Sequence, residues 1–314
     1  MIARTLLATA ALAIATPAAA QRADLDKMDL VLKQGELVEV VINDRPVKFR
    51  IAPDAVSVPT VNADTAERLE LKPSMVGFVY VIGPVELPFR TDTVRYHVDG
   101  DSFRRRTAFS DRTLVDDAEG VAGPATFPYR RVMLQLRDAQ PGDRAISFPF
   151  DDEMGRSQTG TVIDVGGNPV YVAFSFDRPE SMVSATGGQW IADAYGGWFD
   201  GEPRETRILY GVDRPVRPLS LGTPLMLGEL NIRNIAVRVA DMGDASGIAE
   251  GEAPSADLNE IVVTGASGRK VPRQRLYVGM DTIGHCASIT YDLEEETITL
   301  MCPDQPLARD GSEA

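Results

Sequence analysis

Short runs in which apolar and polar residues alternate dominate the chain: LVEVVIN, VKFRI, GFVYVIG, VRYHV, VMLQLR, VYVAFSF, NIAVRVA and ASITYD. Gly, Pro, Asn or Asp separates them. A period of two puts every second side chain on one face, so each run reads as a half-buried strand and each break as a turn. Helical patterning is confined to two short segments, near Asn62–Leu69 and near Gln189–Tyr195, the second stopped by Gly196-Gly197. The pattern predicts a mostly β protein.

The order of these elements repeats. VVINDRPVKFRI makes a hairpin, followed by APDAVS and the first helix; TVIDVGGNPVYVAFSF makes another, followed by DRPESMVS and the second helix. Each half later reaches a strand ending in Gly, GVAG at Gly120–Gly123 and LYVG at Leu276–Gly279. Each then closes with a strand pair, VMLQLRD in the first and ITYDLEEETITLM in the second. A repeat this long predicts two lobes of one fold rather than a solenoid, and the chain is also too long for one ordinary core. The expected divisions are a lead-in over 21–35, a first lobe over 36–150 and a second over 151–305, with the seam in the polar stretch DDEMGRSQTG. An acidic insertion over 241–260 holds too little apolar surface to order itself, and the tail 306–314 is expected to fray.

Composition narrows the setting. The formal net charge of −14 disfavours nucleic acid and anionic membrane as partners. The one basic cluster, Arg104, Arg105 and Arg106, reads as a solvated strand edge. The chain opens MIARTLLATAALAIATPAAAQ: one Arg, an apolar run too short to span a bilayer, and an A-x-A site. That predicts a signal peptide over 1–20, cut after Ala20, and a periplasmic or secreted protein without an integral membrane segment. The two cysteines, Cys286 and Cys302, flank two alternating strands around an acidic turn, and export predicts a disulfide between them. His97 and His285 have no partner at ligand spacing, so neither metal nor other cofactor is expected. NEIVVTG at Asn259–Gly265 resembles a box read by strand addition, but its β-branched run reads more simply as a strand.

Taken together, VVINDRPVKFRI…NADTAERLEL and LYVGMDTIGHCASITYD resemble the retropepsin-like aspartic proteases, in a fused two-lobe arrangement of the pepsin type. The resemblance spans about residues 36–303 and includes Gly279, Met280 and Asp281. It implies an all-β fold of two β-barrel lobes facing a central cleft, with few short helices. In that family each lobe contributes Asp-Thr-Gly-Ala-Ser after a strand. The two carboxylates share one proton across a water, one acting as base and the other as acid.

Here the loops depart from the family. The first reads Ala52-Pro53-Asp54-Ala55-Val56, so Ala52 stands where the first acid belongs and Asp54 falls on the glycine. The second reads Asp177-Arg178-Pro179-Glu180-Ser181, matching at Asp177 and Ser181, but it begins two residues later after its hairpin than the first loop does. Asp164 in IDVGG is a rival acid, though its glycines belong to a turn. With Ala52 supplying no second charge, Asp177 is expected to stay ionised beside Arg178. The expectation is an exported, catalytically inactive relative that binds a peptide or protein through its cleft or sheet edges. The alternatives are an active periplasmic aspartic endopeptidase pairing Asp177 with a displaced Asp54, or a structural envelope protein.

Overall fold

The alternation of the sequence becomes alternation of burial. Along Arg45–Ile51, Val47, Phe49 and Ile51 are buried while Pro46 and Lys48 face solvent. The longer strand Val85–Val98 buries Leu87, Phe89, Thr91, Val94, Tyr96 and Val98 in the same way. Two-residue turns with positive φ join several such strands, at Asn43-Asp44, Asp99-Gly100, Gly166-Gly167 and Tyr210-Gly211. Their backbone twist matches that of the strands they connect.

The computed structural model describes residues 29–55, 58–151, 159–239, 245, 247–251 and 274–304. In chain order its strands begin β1 (Asp29–Lys33), β2 (Val38–Ile42), β3 (Arg45–Ile51), β4 (Thr60–Val61), β5 (Gly77–Ile82), β6 (Val85–Val98) and β7 (Asp101–Phe109). Next come β8 (Gly120–Ala122), β9 (Arg131–Gln135), β10 (Asp143–Pro149), β11 (Thr161–Val165), β12 (Asn168–Phe174), β13 (Met182–Val183) and β14 (Gly197–Asp200). The last are β15 (Arg204–Leu209), β16 (Val212–Leu227), β17 (Leu230–Arg238), β18 (Ala249–Gly251), β19 (Arg275–Val278), β20 (Ser288–Asp292) and β21 (Thr297–Pro303). Helix α1 (Ala63–Arg68) follows β4, α2 (Ala185–Tyr195) follows β13 and α3 (Met280–Ile283) follows β19. The protein is mostly β, with few short helices.

One sheet runs β2-β3-β8-β4-β7-β6-β5, and a further pairing of β2 with β6 closes six of its strands into a barrel. Another runs β11-β12-β19-β13-β17-β16-β14-β18, with β15 also on β16. Their neighbour relations repeat. β8 lies parallel to β3 and antiparallel to β4, as β19 lies parallel to β12 and antiparallel to β13. β4 and β7 pair in parallel, as do β13 and β17.

Three expectations change. The closing strand pairs do not complete separate halves: β20 and β21 join β1, β9 and β10 in one five-stranded sheet, β1-β9-β20-β21-β10. Pairing β20 with β9 and β21 with β10 covers edges that would otherwise be open. The arginine cluster is not wholly solvated. It lies in the part of β7 that pairs with β6, before the β4 pairing at Ala108 and Phe109; Arg104 and Arg106 face out while Arg105 turns inward to donate to the Ala125 and Thr126 carbonyls. The insertion has anchors: Ala245 and Ile248 are buried in the main core, and Ala249–Gly251 pairs in parallel with β14. Most of the rest of that insertion, the proposed signal segment 1–20, most of the seam, the NEIVVTG stretch and the tail 306–314 lie outside the described residues.

Cys286 and Cys302 are joined in a disulfide, both fully buried. Among the described residues, no helix is long and apolar enough to cross a membrane.

Candidate functional site

Strand pairing places the two suspect loops at equivalent points of their sheets. β3 and β8 are parallel and end together, Ile51 opposite Ala122; one step on, the Ala52 N–H bonds the Ala122 carbonyl at 2.9 Å. β12 and β19 do the same, Phe174 opposite Val278, with the Ser175 N–H on the Val278 carbonyl at 2.9 Å. The register therefore makes Ser175, not Asp177, the counterpart of Ala52. The two-residue excess in the second loop is absorbed by this shift, and Asp54 becomes the counterpart of Asp177. Neither first position carries an acid, and each loop carries one two residues later.

The loops contact each other crosswise. The Ser175 hydroxyl donates to the Asp54 carboxylate at 2.7 Å, and Arg178 Nε stands 3.6 Å from the same carboxylate, both side chains nine-tenths buried. In return Arg50, on β3, holds Asp177 at 2.9 Å and Asp117 at 3.3 Å. Arg178 is fixed further by donating to the Ile208 carbonyl at 2.7 Å and by lying 4.4 Å over the Tyr277 ring. Asp164 sits apart at its hairpin, accepting from the Gly167 N–H at 3.0 Å, as a turn residue does.

Arg50, Asp54, Asp177 and Arg178 line a cleft of about 350 Å³, together with Asp116, Asp117, Arg207 and the Tyr210-Gly211 turn. Asn62 shapes one wall. It occupies the N-cap position of α1, yet its side chain makes no cap bond; it donates to the Val115 and Ala118 carbonyls and accepts from the Leu114 and Val115 N–H groups. Overhead, the β5–β6 and β15–β16 hairpins meet: the Tyr210 ring lies 5.4 Å from Phe89 and 6.1 Å from Tyr80.

No family model and no curated protein matches the chain.

The electrostatics of Asp177 differ from expectation. Its carboxyl is held above the ordinary range, chiefly by desolvation at the cleft wall although the side chain is still 45% exposed, against the pull of Arg50 and with the charges of Asp54 and Asp117 adding to the rise. A second charge is thus present, supplied by Asp54 rather than by position 52, and the closest cation is Arg50. Since the folded value is the raised one, the contribution of this group is fully present below the unfolded value of 3.8 and is lost as pH rises through the folded value. Asp177→Asn is therefore expected to raise the thermal midpoint at pH 7, and that advantage should vanish as pH falls below 3.8. Melting curves of both proteins across that range check the sign.

Close backbone approach holds the second loop in place. A Cβ on Gly279 would lie 2.4 Å from the backbone C and O of Glu180 and 2.9 Å from the Arg178 carbonyl. The Met280 N–H bonds that same Arg178 carbonyl, and the Gly279 N–H bonds Ser181 Oγ at 3.1 Å. Gly279→Ala is expected to destabilise by about 1–3 kcal/mol through overpacking against backbone that cannot retreat, measurable as a lower urea midpoint.

Arg50, Ser175, Asn62 and Tyr210 were missed from sequence. Only Ser175 carried a signal, the equal count of residues from Pro46 to Ala52 and from Pro169 to Ser175.

Proposed function

We propose that this chain is an exported, retropepsin-like protein whose cleft recognises a peptide or protein segment without cleaving it. The carrying observation is that Ala52 and Ser175 occupy the paired first loop positions, while Asp54 and Asp177 each face an arginine. A shared-proton mechanism needs one carboxyl protonated and one ionised, close together. Here each carboxyl has an arginine as its near partner instead. The repeated strand order and the meeting of the two loops support the family reading. The signal-like opening and the Cys286–Cys302 disulfide support export.

One observation favours the rival reading, an aspartic endopeptidase using Asp54 and Asp177. Asp177 is raised and feels the Asp54 charge, the coupling that separates acid from base in a dyad. Purified protein incubated with a mixed peptide library from pH 3 to 8 decides between them. No cleavage is expected. Cleavage that disappears in both Asp54→Asn and Asp177→Asn would establish the endopeptidase. For export, N-terminal sequencing of secreted material is expected to return Gln21; a return of Met1 would refute it.

A further inference from the structure

The β6–β7 hairpin turns a strongly charged face to solvent. Its register sets Arg95 directly opposite Arg104 and Thr93 opposite Arg106, and all four residues are exposed. Side chains directly opposite on one face stand about 5 Å apart at Cβ, and like charges placed there repel. Among the described residues Arg95 and Arg106 make no side-chain hydrogen bond or ion pair. Arg104 makes one bond, to the Thr93 carbonyl at 3.2 Å. A facing pair of arginines with no carboxylate between them calls for an anion.

A groove of about 440 Å³ lies along this face. Arg45, Lys72, Arg95 and Arg104 line it, against the carboxylates of Glu70 and Asp92. Both carboxylates are engaged. Glu70 pairs with Arg45, and Asp92 accepts from the backbone N–H groups of Lys72 and Thr93 at 2.9 and 2.7 Å. The lining therefore keeps an excess of positive charge, on a chain whose formal net charge is −14.

We propose that this groove docks an acidic protein segment, its Asp or Glu carboxylates set between Arg95 and Arg104. A carboxylate accepts two parallel bonds from one guanidinium, and placed between two it turns their repulsion into attraction. The groove has more volume than the main cleft of about 350 Å³, too much for a lone inorganic ion. A narrow segment suits it better than a wide anionic surface, which would press on Glu70 and Asp92 and meet the net negative charge of the chain. Among the described residues no aromatic side chain lines the groove, so it offers a nucleic acid no ring on which to stack a base. The inference is independent of the cleft reading above.

The test uses the full chain and the acetylated, amidated peptide Gly-Glu-Glu-Gly-Glu-Glu-Gly, with the same peptide carrying Gln for Glu as control. Calorimetry at low ionic strength measures affinity, and backbone amide NMR follows Arg95 and Arg104. Exposed ion pairs are individually weak, so several must act together. The acidic peptide is expected to bind at least tenfold tighter than the Gln peptide and to shift both signals. Arg95→Gln/Arg104→Gln is expected to remove most of that preference while leaving the thermal midpoint unchanged or higher, because it relieves the like-charge contact. Arg130→Gln/Arg131→Gln takes the same charge from the start of β9, in the five-stranded sheet, and is expected to change the affinity less than twofold. Peptides bound alike, signals that do not move, or equal losses in the two double variants overturn the proposal. Inorganic phosphate binding as tightly as the acidic peptide shows an adventitious ion only and also overturns it. So does binding to phosphatidylglycerol vesicles through Arg95 and Arg104 without binding to the peptide, which assigns the groove to a membrane surface.

Discussion

Arg178→Met lowers the folding stability by about 3–5 kcal/mol, the range for removing one partner of a buried ion pair. The arginine and Asp54 side chains are 7% and 8% exposed, so the abandoned carboxylate stays away from water with only the Ser175 hydroxyl as donor. The Ile208 carbonyl also loses its donor, and Tyr277 loses the guanidinium stacked on it. The double variant Arg178→Met/Asp54→Asn removes the orphaned charge and is expected to recover about half of that loss. Urea unfolding of the four proteins closes the cycle. Strictly additive losses would show that the two charges do not interact, and the crosswise clasp between the loops would lose its energetic basis.

The second large effect is expected from the disulfide. Cys286→Ala/Cys302→Ala should destabilise by about 3 kcal/mol, the loop-closure entropy regained by the unfolded chain. The bond closes a loop with a sequence separation of 16, spanning the β20–β21 hairpin that completes the shared five-stranded sheet. Both residues are fully buried, so the sulfurs are also core atoms and their removal adds a small cavity loss to the entropic one. Equilibrium unfolding of the two proteins measures the sum. An unchanged urea midpoint would mean that the hairpin is held by its ladder and packing alone.

Much of the fold was legible along the chain because it is local. The alternation in VKFRI needs only its own residues to define an inward face, and Val47, Phe49 and Ile51 take it. The turns at Asn43-Asp44 and Gly166-Gly167 follow from residue types that tolerate positive φ. The cysteines, set evenly about one hairpin turn, announced their bond. The helices were placed, although α2 begins at Ala185, four residues before the periodic segment, because its first turn carries two glycines and no apolar stripe.

What sequence alone determined, then, was the alternating strands such as β2, β3, β9 and β12, their faces, the internal repeat of elements and the disulfide, while β1, β10 and the long β16 were not read from it. Tertiary structure decided which strands became neighbours. β8 inserts between β3 and β4, and β19 between β12 and β13, through pairings distant in sequence that no local pattern encodes. That insertion aligned Ala52 with Ser175 and Asp54 with Asp177, correcting a comparison made by motif. It also brought Arg50 to Asp177 and Arg178 to Asp54. The charge on Asp177 depends on burial first and on those neighbours next, and neither is a property of adjacent residues. Backbone periodicity is local and survives in one dimension, whereas burial and Coulomb interaction depend on distances that exist only once the sheets have closed.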